Sequence, residues 1–150
     1  TCHRNPLERV WSYYQMSKRD NGNSYHKYTK LNSLEFFIDH CWECRNMMTK
    51  YMTANLSDSL DIKSMELARD NLKSFFWVFD FENLSHSLRL YTEKYINYSD
   101  QSFKRKNIPY IPQFHLRKSY YTLPSQKELK IIQHYNEYDL KLYNLWKRDL

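Results

Sequence analysis

The 150-residue sequence predicts an α/β chain that is mostly helical, and three observations carry that expectation. Amphipathic stretches with apolar residues at helical spacing recur along its length. One short run, Phe75-Phe-Trp-Val-Phe79, is apolar without alternation and bounded by polar residues, the pattern of a strand buried on both faces. The chain also holds a single glycine, Gly22, against fourteen tyrosines, eight phenylalanines and four tryptophans. One glycine leaves no room for a Gly-rich phosphate loop, which needs backbone close to phosphate at several points. Any nucleotide bound by this chain is therefore held by side chains, or by a loop outside it.

The elements follow in order. Residues 1–4 suit the end of a buried strand. Asn5-Pro6 opens a helix, since Asn is a favoured N-cap and Pro fits the first helical position. Leu7, Val10, Trp11 and Tyr14 continue it to about Lys18. The polar stretch from Arg19 to Asn32 reads as a loop. Ser33 caps a second helix with Leu34, Phe37, Ile38 and Cys41 on one face, and a further helical piece covers Asn46–Thr53. Leu60 to Lys73 is amphipathic, with Ile62, Met65, Leu67, Ala68 and Leu72 apolar. After the Phe75–Phe79 strand, a helix starts near Glu82 with Leu84, Leu88, Tyr91 and Tyr95 on one side. Residues 98–124 form a long loop with three of the four prolines and the basic cluster Lys104, Arg105 and Lys106. Ser125-Gln-Lys-Glu128 is a capping-box pattern. The last helical region has Ile131, Ile132, Tyr135, Leu142 and Trp146 as its apolar face, with a break near Asn136.

The formal charge of +6 favours an anionic partner: a nucleotide, an acidic polysaccharide, a nucleic acid or an anionic membrane surface. No stretch approaches the roughly twenty apolar residues of a membrane span. The chain opens on Thr1 rather than Met and shows no signal peptide, so the sequence reads as a fragment or a truncated product. Cys41-Trp-Glu-Cys44 has a C-x-x-C spacing that suits redox chemistry or half of a zinc site. Without a second ligand pair it reads as two thiols or a local disulfide on a helix. Three Asn-x-Ser sequons stand at Asn55, Asn83 and Asn97; with twelve asparagines and about 13% Ser plus Thr, chance alone gives one or two, so they say little about the compartment. His26, His40, His86 and His134 have no partner at metal-ligand spacing. Glu82 and Asp139 lie beside apolar helix surfaces, where carboxylates cap helices or form ion pairs.

The segment richest in chemistry is Arg4-Asn-Pro-Leu-Glu-Arg9-Val-Trp-Ser12-Tyr-Tyr14. Arg4 closes a strand and Ser12 lies about two turns into the helix. An Arg meets phosphate with two parallel hydrogen bonds and a Ser hydroxyl adds a third, an arrangement suited to a phosphate monoester. This segment resembles the Arg-x-Pro motif, with Ser eight residues beyond the Arg, of sulfotransferases that use 3′-phosphoadenosine 5′-phosphosulfate (PAPS). Ala68-Arg-Asp-Asn-Leu72, Phe75–Phe79, Glu82 and Ser87-Leu-Arg-Leu90 are similar to the family's next helix, strand, Glu and Ser-Leu-x-Leu helix. His115-Leu-Arg-Lys118 and Leu123-Pro-Ser125 resemble a loop and helix start of heparan sulfate 2-O-sulfotransferases. Asn136-Glu-Tyr-Asp139-Leu-Lys-Leu-Tyr143 is similar to the family's terminal Asn…Asp…Leu-Tyr pattern. The sequence departs from that pattern at Phe79, near the place of a Gly, and at Asn5, in the place of an Asp.

The resemblance implies the C-terminal, mostly helical portion of a P-loop-like sulfotransferase domain with a parallel sheet that is incomplete here. Residues 1–150 would be one partial domain lacking the N-terminal phosphosulfate-binding loop. It implies in-line transfer of a sulfuryl group from PAPS to a carbohydrate, with an anionic glycan acceptor, no metal, and placement in the Golgi lumen through a membrane anchor outside this chain. A base takes the acceptor proton while cations steady the departing phosphate. That base is expected upstream, because His3 lies in the strand leading to the phosphate site. Arg4 and Ser12 are the expected 3′-phosphate ligands; Arg117 and Lys118 read either as donor or acceptor contacts or as a solvated loop. Lys104–Lys106 read the same two ways toward an anionic glycan. Alternatives from other classes are a non-catalytic sulfotransferase-like binding protein and a basic, aromatic-rich helical module that binds nucleic acid. Aromatics that share helical stripes with Leu and Ile favour core packing over the last.

Overall fold

The structure, a computed structural model, describes residues 2–30, 33–75, 77–95 and 122–148. It is mostly helical. The chain divides into two compact units: one formed by residues 1–3 and 76–121, the other by residues 4–75 and 122–150.

In the smaller unit, β1 (Cys2–His3) pairs in parallel with β2 (Phe79–Asp80), in register Cys2 with Phe79 and His3 with Asp80. The Phe81 N–H extends the ladder to the His3 carbonyl at 2.9 Å. The strand is later and shorter than the expected Phe75–Phe79. Phe75 instead ends the preceding helix, donating its N–H to the Leu72 carbonyl, and stands 44% exposed. A two-residue partner leaves only two residues to pair. Buried Asp80 then organises the chain's exit: its carboxylate accepts from the Glu82 N–H and the Asn83 side-chain amide, and its own N–H donates to the Ser87 hydroxyl. Ser87 sits in α6 (Leu84–Tyr95), whose Tyr91 and Tyr95 pack edge-on against Trp77.

The larger unit is helical. Its helices are α1 (Pro6–Arg19), α2 (His26–Lys30), α3 (Leu34–His40), α4 (Met47–Thr53), α5 (Ile62–Ser74), α7 (Gln126–Tyr135) and α8 (Glu137–Arg148), with a 3-10 turn at Trp42–Cys44. The Asn5 side chain caps α1 through the Leu7 N–H at 2.9 Å, with Pro6 in the first turn. Ser33 caps α3, and Ser125 with Glu128 closes a reciprocal capping box on α7. The helix near residue 60 starts two residues later than expected because Asp61 and Ser64 cap each other there. Helix α2 was not legible; it occupies part of the polar stretch read as a loop.

The core gathers Val10, Trp11 and Tyr14 of α1, Leu34, Phe37 and Ile38 of α3, Cys41, Cys44 and Ile132. Phe37 is its centre among rings: Tyr13, Tyr14 and Tyr25 lie 5.0–6.4 Å from it, centroid to centroid. On α5 the expected apolar face is only half used. Ala68 and Leu72 are buried, whereas Ile62 and Leu67 are exposed.

Candidate functional site

Arg4 follows β1 directly and lies two residues ahead of α1. The buried stripe of α1 is Pro6, Val10, Trp11, Tyr14 and Ser17. Ser12 falls off that stripe and is half-buried, about 9 Å along the helix axis from Pro6 at the usual rise. Its hydroxyl has no hydrogen-bond partner among the described residues. Arg4 is also half-buried. The helix start itself offers little to an anion: Pro6 has no N–H, and that of Leu7 is taken by Asn5. Exposed Glu8, one turn before Ser12, adds a negative charge to the same stretch. Among the described residues of this segment, the cation at the strand end is Arg4. Arg117, Lys118 and the Lys104–Lys106 cluster lie outside the described residues.

Behind this segment lies a buried polar knot that holds α1 in place. The Arg9 guanidinium donates to the Glu43 carbonyl at 2.6 Å and to Asn136 Oδ1 at 3.2 Å, and lies 3.5 Å from the Asp139 carboxylate. Asn136 is fully buried and uses both ends of its amide. Its Nδ2 donates to the Cys44 and Ile132 carbonyls, while its Oδ1 also accepts the Asn46 N–H. Asp139, likewise fully buried, accepts the Met48 and Thr49 N–H groups at 3.0 and 2.8 Å and the Thr49 hydroxyl at 2.8 Å. Those are first-turn donors of α4. In return Asn46 Oδ1 accepts the Tyr138 and Asp139 N–H groups, first-turn donors of α8. Each helix start is thus capped by a side chain from the other. Asn46 takes a left-handed backbone, φ 45, which Asn tolerates better than most residues.

Asp139 therefore does the capping and ion-pair work its position suggested. Arg9 was not singled out from the sequence. Its partners lie 34 to 130 residues away, and no local pattern announces them. The Asn136…Asp139 spacing, already noted in the terminal segment, was the one available signal.

The C-x-x-C pair lies in the 3-10 turn rather than on an α-helix, and both thiols are free and fully buried. A hydrogen bond to Cys41, then burial, pushes the Cys44 thiol far above its ordinary range. That is the reverse of a reactive thiolate. Beside it the Tyr13 hydroxyl donates to Glu43 at 3.0 Å; burial first, and that bond second, raise the Tyr13 phenol. His3 is buried in β1. His26 is buried against the Ser17 carbonyl, 2.7 Å from its Nδ1; His40, His86 and His134 are exposed. Among the described residues no three His, Cys, Asp or Glu side chains gather where they could hold a metal ion, and no helix is long and apolar enough to cross a membrane.

Comparison of the chain with protein-family models, with curated proteins and with solved structures finds no match.

Proposed function

We propose that this chain carries the 3′-phosphoadenosine half-site of a PAPS-dependent carbohydrate sulfotransferase, as the C-terminal portion of a P-loop-like domain. The observation that carries the reading is the start of α1. There Arg4 lies two residues ahead of a capped helix, and Ser12, eight residues on, presents from its second turn a hydroxyl with no partner among the described residues. Two further features support it. The first and last of the resembling segments meet in the structure, because Arg9 is held by Asn136 and Asp139. Ser87 of the Ser-Leu-x-Leu segment secures the strand that pairs with β1.

On this reading Arg4 takes two oxygens of the 3′-phosphate and Ser12 donates to the third. The nucleotide is gripped at its 3′ end while chemistry occurs at the 5′ sulfate, so these residues bind and orient the donor. The base and the groups that bind the sulfate come from sequence outside this chain. The acceptor is an anionic glycan met by basic loop residues, and the protein works in the Golgi lumen.

The test is calorimetric titration of adenosine 3′,5′-bisphosphate, with adenosine 5′-monophosphate as the control lacking the 3′ group. Saturable binding of the bisphosphate alone is expected. Arg4→Ala should weaken it at least about tenfold, the worth of a hydrogen bond to a charged group, and Ser12→Ala by less. Equal binding by Arg4→Ala, or none by a folded chain, sinks this assignment. A folded chain that fails to bind points instead to a non-catalytic relative.

A further inference from the structure

We infer that Asn55 is an acceptor for an N-linked glycan, presented at an exposed turn in which the sequon's own serine hydrogen-bonds the asparagine side chain. The inference rests on the luminal placement that the proposed function carries. Two of the three sequons, Asn55-Leu-Ser57 and Asn83-Leu-Ser85, fall in described residues, and their geometries differ.

Helix α4 ends at Thr53, and Ala54 turns the chain through a left-handed conformation, φ 54. The Asn55 N–H is held by the Lys50 carbonyl at 3.1 Å and lies 3.3 Å from the Thr53 hydroxyl. Asn55 Oδ1 then accepts two hydrogen bonds from the sequon's own serine: the Ser57 N–H at 3.1 Å and the Ser57 hydroxyl at 2.8 Å. Both polarise the side-chain carbonyl, which makes the amide nitrogen more acidic. They leave Nδ2 with no hydrogen bond among the described residues. The middle residue, Leu56, is 57% exposed, and Ser57, Asp58 and Ser59 are exposed beside it. The turn is also anchored from behind, since Asp58 pairs with Arg45 at 2.9 Å and with buried Lys50. A glycan on Nδ2 breaks none of these contacts.

Asn83 is arranged otherwise. Its Nδ2 is engaged by Asp80 at 2.9 Å, Ser85 lies in the first turn of α6, and no hydrogen bond links Ser85 to Asn83 among the described residues. The chemistry at Asn55 is a substitution on a lipid-linked oligosaccharyl diphosphate, catalysed by an oligosaccharyltransferase. Nδ2 bonds to the anomeric carbon of the first N-acetylglucosamine as that carbon's bond to oxygen breaks. The bonding pair leaves with the lipid diphosphate, and one amide proton passes to a base of the transferase. Nothing is oxidised or reduced.

The test expresses the full chain behind a cleavable secretion signal in cells of the secretory pathway. The secreted product is treated with peptide N-glycosidase in 18O-water, which marks each formerly glycosylated Asn as a labelled Asp, and its peptides are mapped. The Asn55 peptide should carry the label. Asn55→Gln should remove one step of apparent mass, and Ser57→Ala should do the same while leaving the asparagine in place. A secreted chain whose Asn55 peptide is unlabelled overturns the inference. If cells retain the chain, translation into microsomes gives the same reading, and a protease-protected chain unmodified at Asn55 overturns it equally. Titration of adenosine 3′,5′-bisphosphate into the secreted product separates the two proposals: a glycosylated chain that binds no nucleotide sinks the sulfotransferase reading alone.

Discussion

Removing the Asp139 carboxylate should be among the most damaging single changes in the larger unit. Asp139→Ala strips the acceptor from two backbone N–H groups of α4 and from the Thr49 hydroxyl, and takes away the carboxylate facing Arg9. A lost helix cap costs about 1 kcal/mol and a buried donor left without a partner about 1–3 kcal/mol. These losses overlap at one site, so their sum overstates the effect. Breaking one partner out of a buried charged network typically costs about 3–5 kcal/mol, and about 4 kcal/mol is expected here. Asp139→Asn keeps one oxygen for Thr49 but turns an N–H toward the remaining donors, and should cost about 2 kcal/mol. Urea unfolding followed by tryptophan fluorescence reads this directly. With a slope of about 2 kcal/mol per molar, the midpoint should fall by about 2 M for the alanine variant and about 1 M for the asparagine. Thr49→Val in the Asp139→Ala background should add almost nothing, since its acceptor is already gone. An Asp139→Ala midpoint within about 0.3 M of the parent would refute the reciprocal-capping account.

The other predictions address titration and charge. Burial and the hydrogen bond to Glu43 raise Tyr13, while a hydrogen bond to Asp39, then burial, pushes Tyr135 up to about 12. Both phenols stay protonated when the unfolded chain has already ionised near pH 10, so their contribution is complete below that value and is lost as pH rises toward 12. Absorbance at 295 nm should show a late-titrating fraction, reduced by Tyr135→Phe. Iodoacetamide at pH 8 should leave Cys41 and Cys44 unmodified in the native chain and label both in urea, with mass mapping as the readout; native labelling of either would contradict their burial. Lys50, 1% exposed, pairs with Asp58, which is half in solvent. Asp58→Ala should therefore cost about 1–2 kcal/mol, whereas Lys50→Met should change stability by less than about 1 kcal/mol, and chemical denaturation distinguishes the two.

Local chemistry made much of this fold legible. Asn5-Pro6, Ser33 and Ser125-x-x-Glu128 each placed a helix start within a residue, because a cap is a short-range event between a side chain and the next turn. Apolar spacing marked the buried face of α1 but misjudged α5, where Ile62 and Leu67 point to solvent. Periodicity shows which residues share a face, not whether anything covers it. The Phe75–Phe79 run failed for a similar reason: a helix C-cap and a two-residue partner strand outweighed β propensity. Helix α2 begins after Asn23, whose side chain accepts the Tyr25 N–H, a turn signal within a stretch too polar to show a stripe. At the candidate site, Arg4 and Ser12 were singled out from the sequence because they sit on one continuous segment. The Arg9 knot was not, since it joins residues from three distant parts of the chain.

The exchange of caps between Asn46 and Asp139 also bears on how the chain is made. Synthesis runs from the N-terminus, so the first turn of α4 emerges about ninety residues before Asp139, and the Arg9 side chain 127 to 130 residues before Asn136 and Asp139. Until residue 139 has cleared the ribosome, the first turn of α4 lacks its acceptor and Arg9 its counter-charge. The N-terminal helices then lack those contacts, and the core its Ile132, until α7 and α8 arrive. During that interval the chain offers unfinished surface to chaperones, and completion of the larger unit waits on the helices of residues 122–148 rather than on its own early segments.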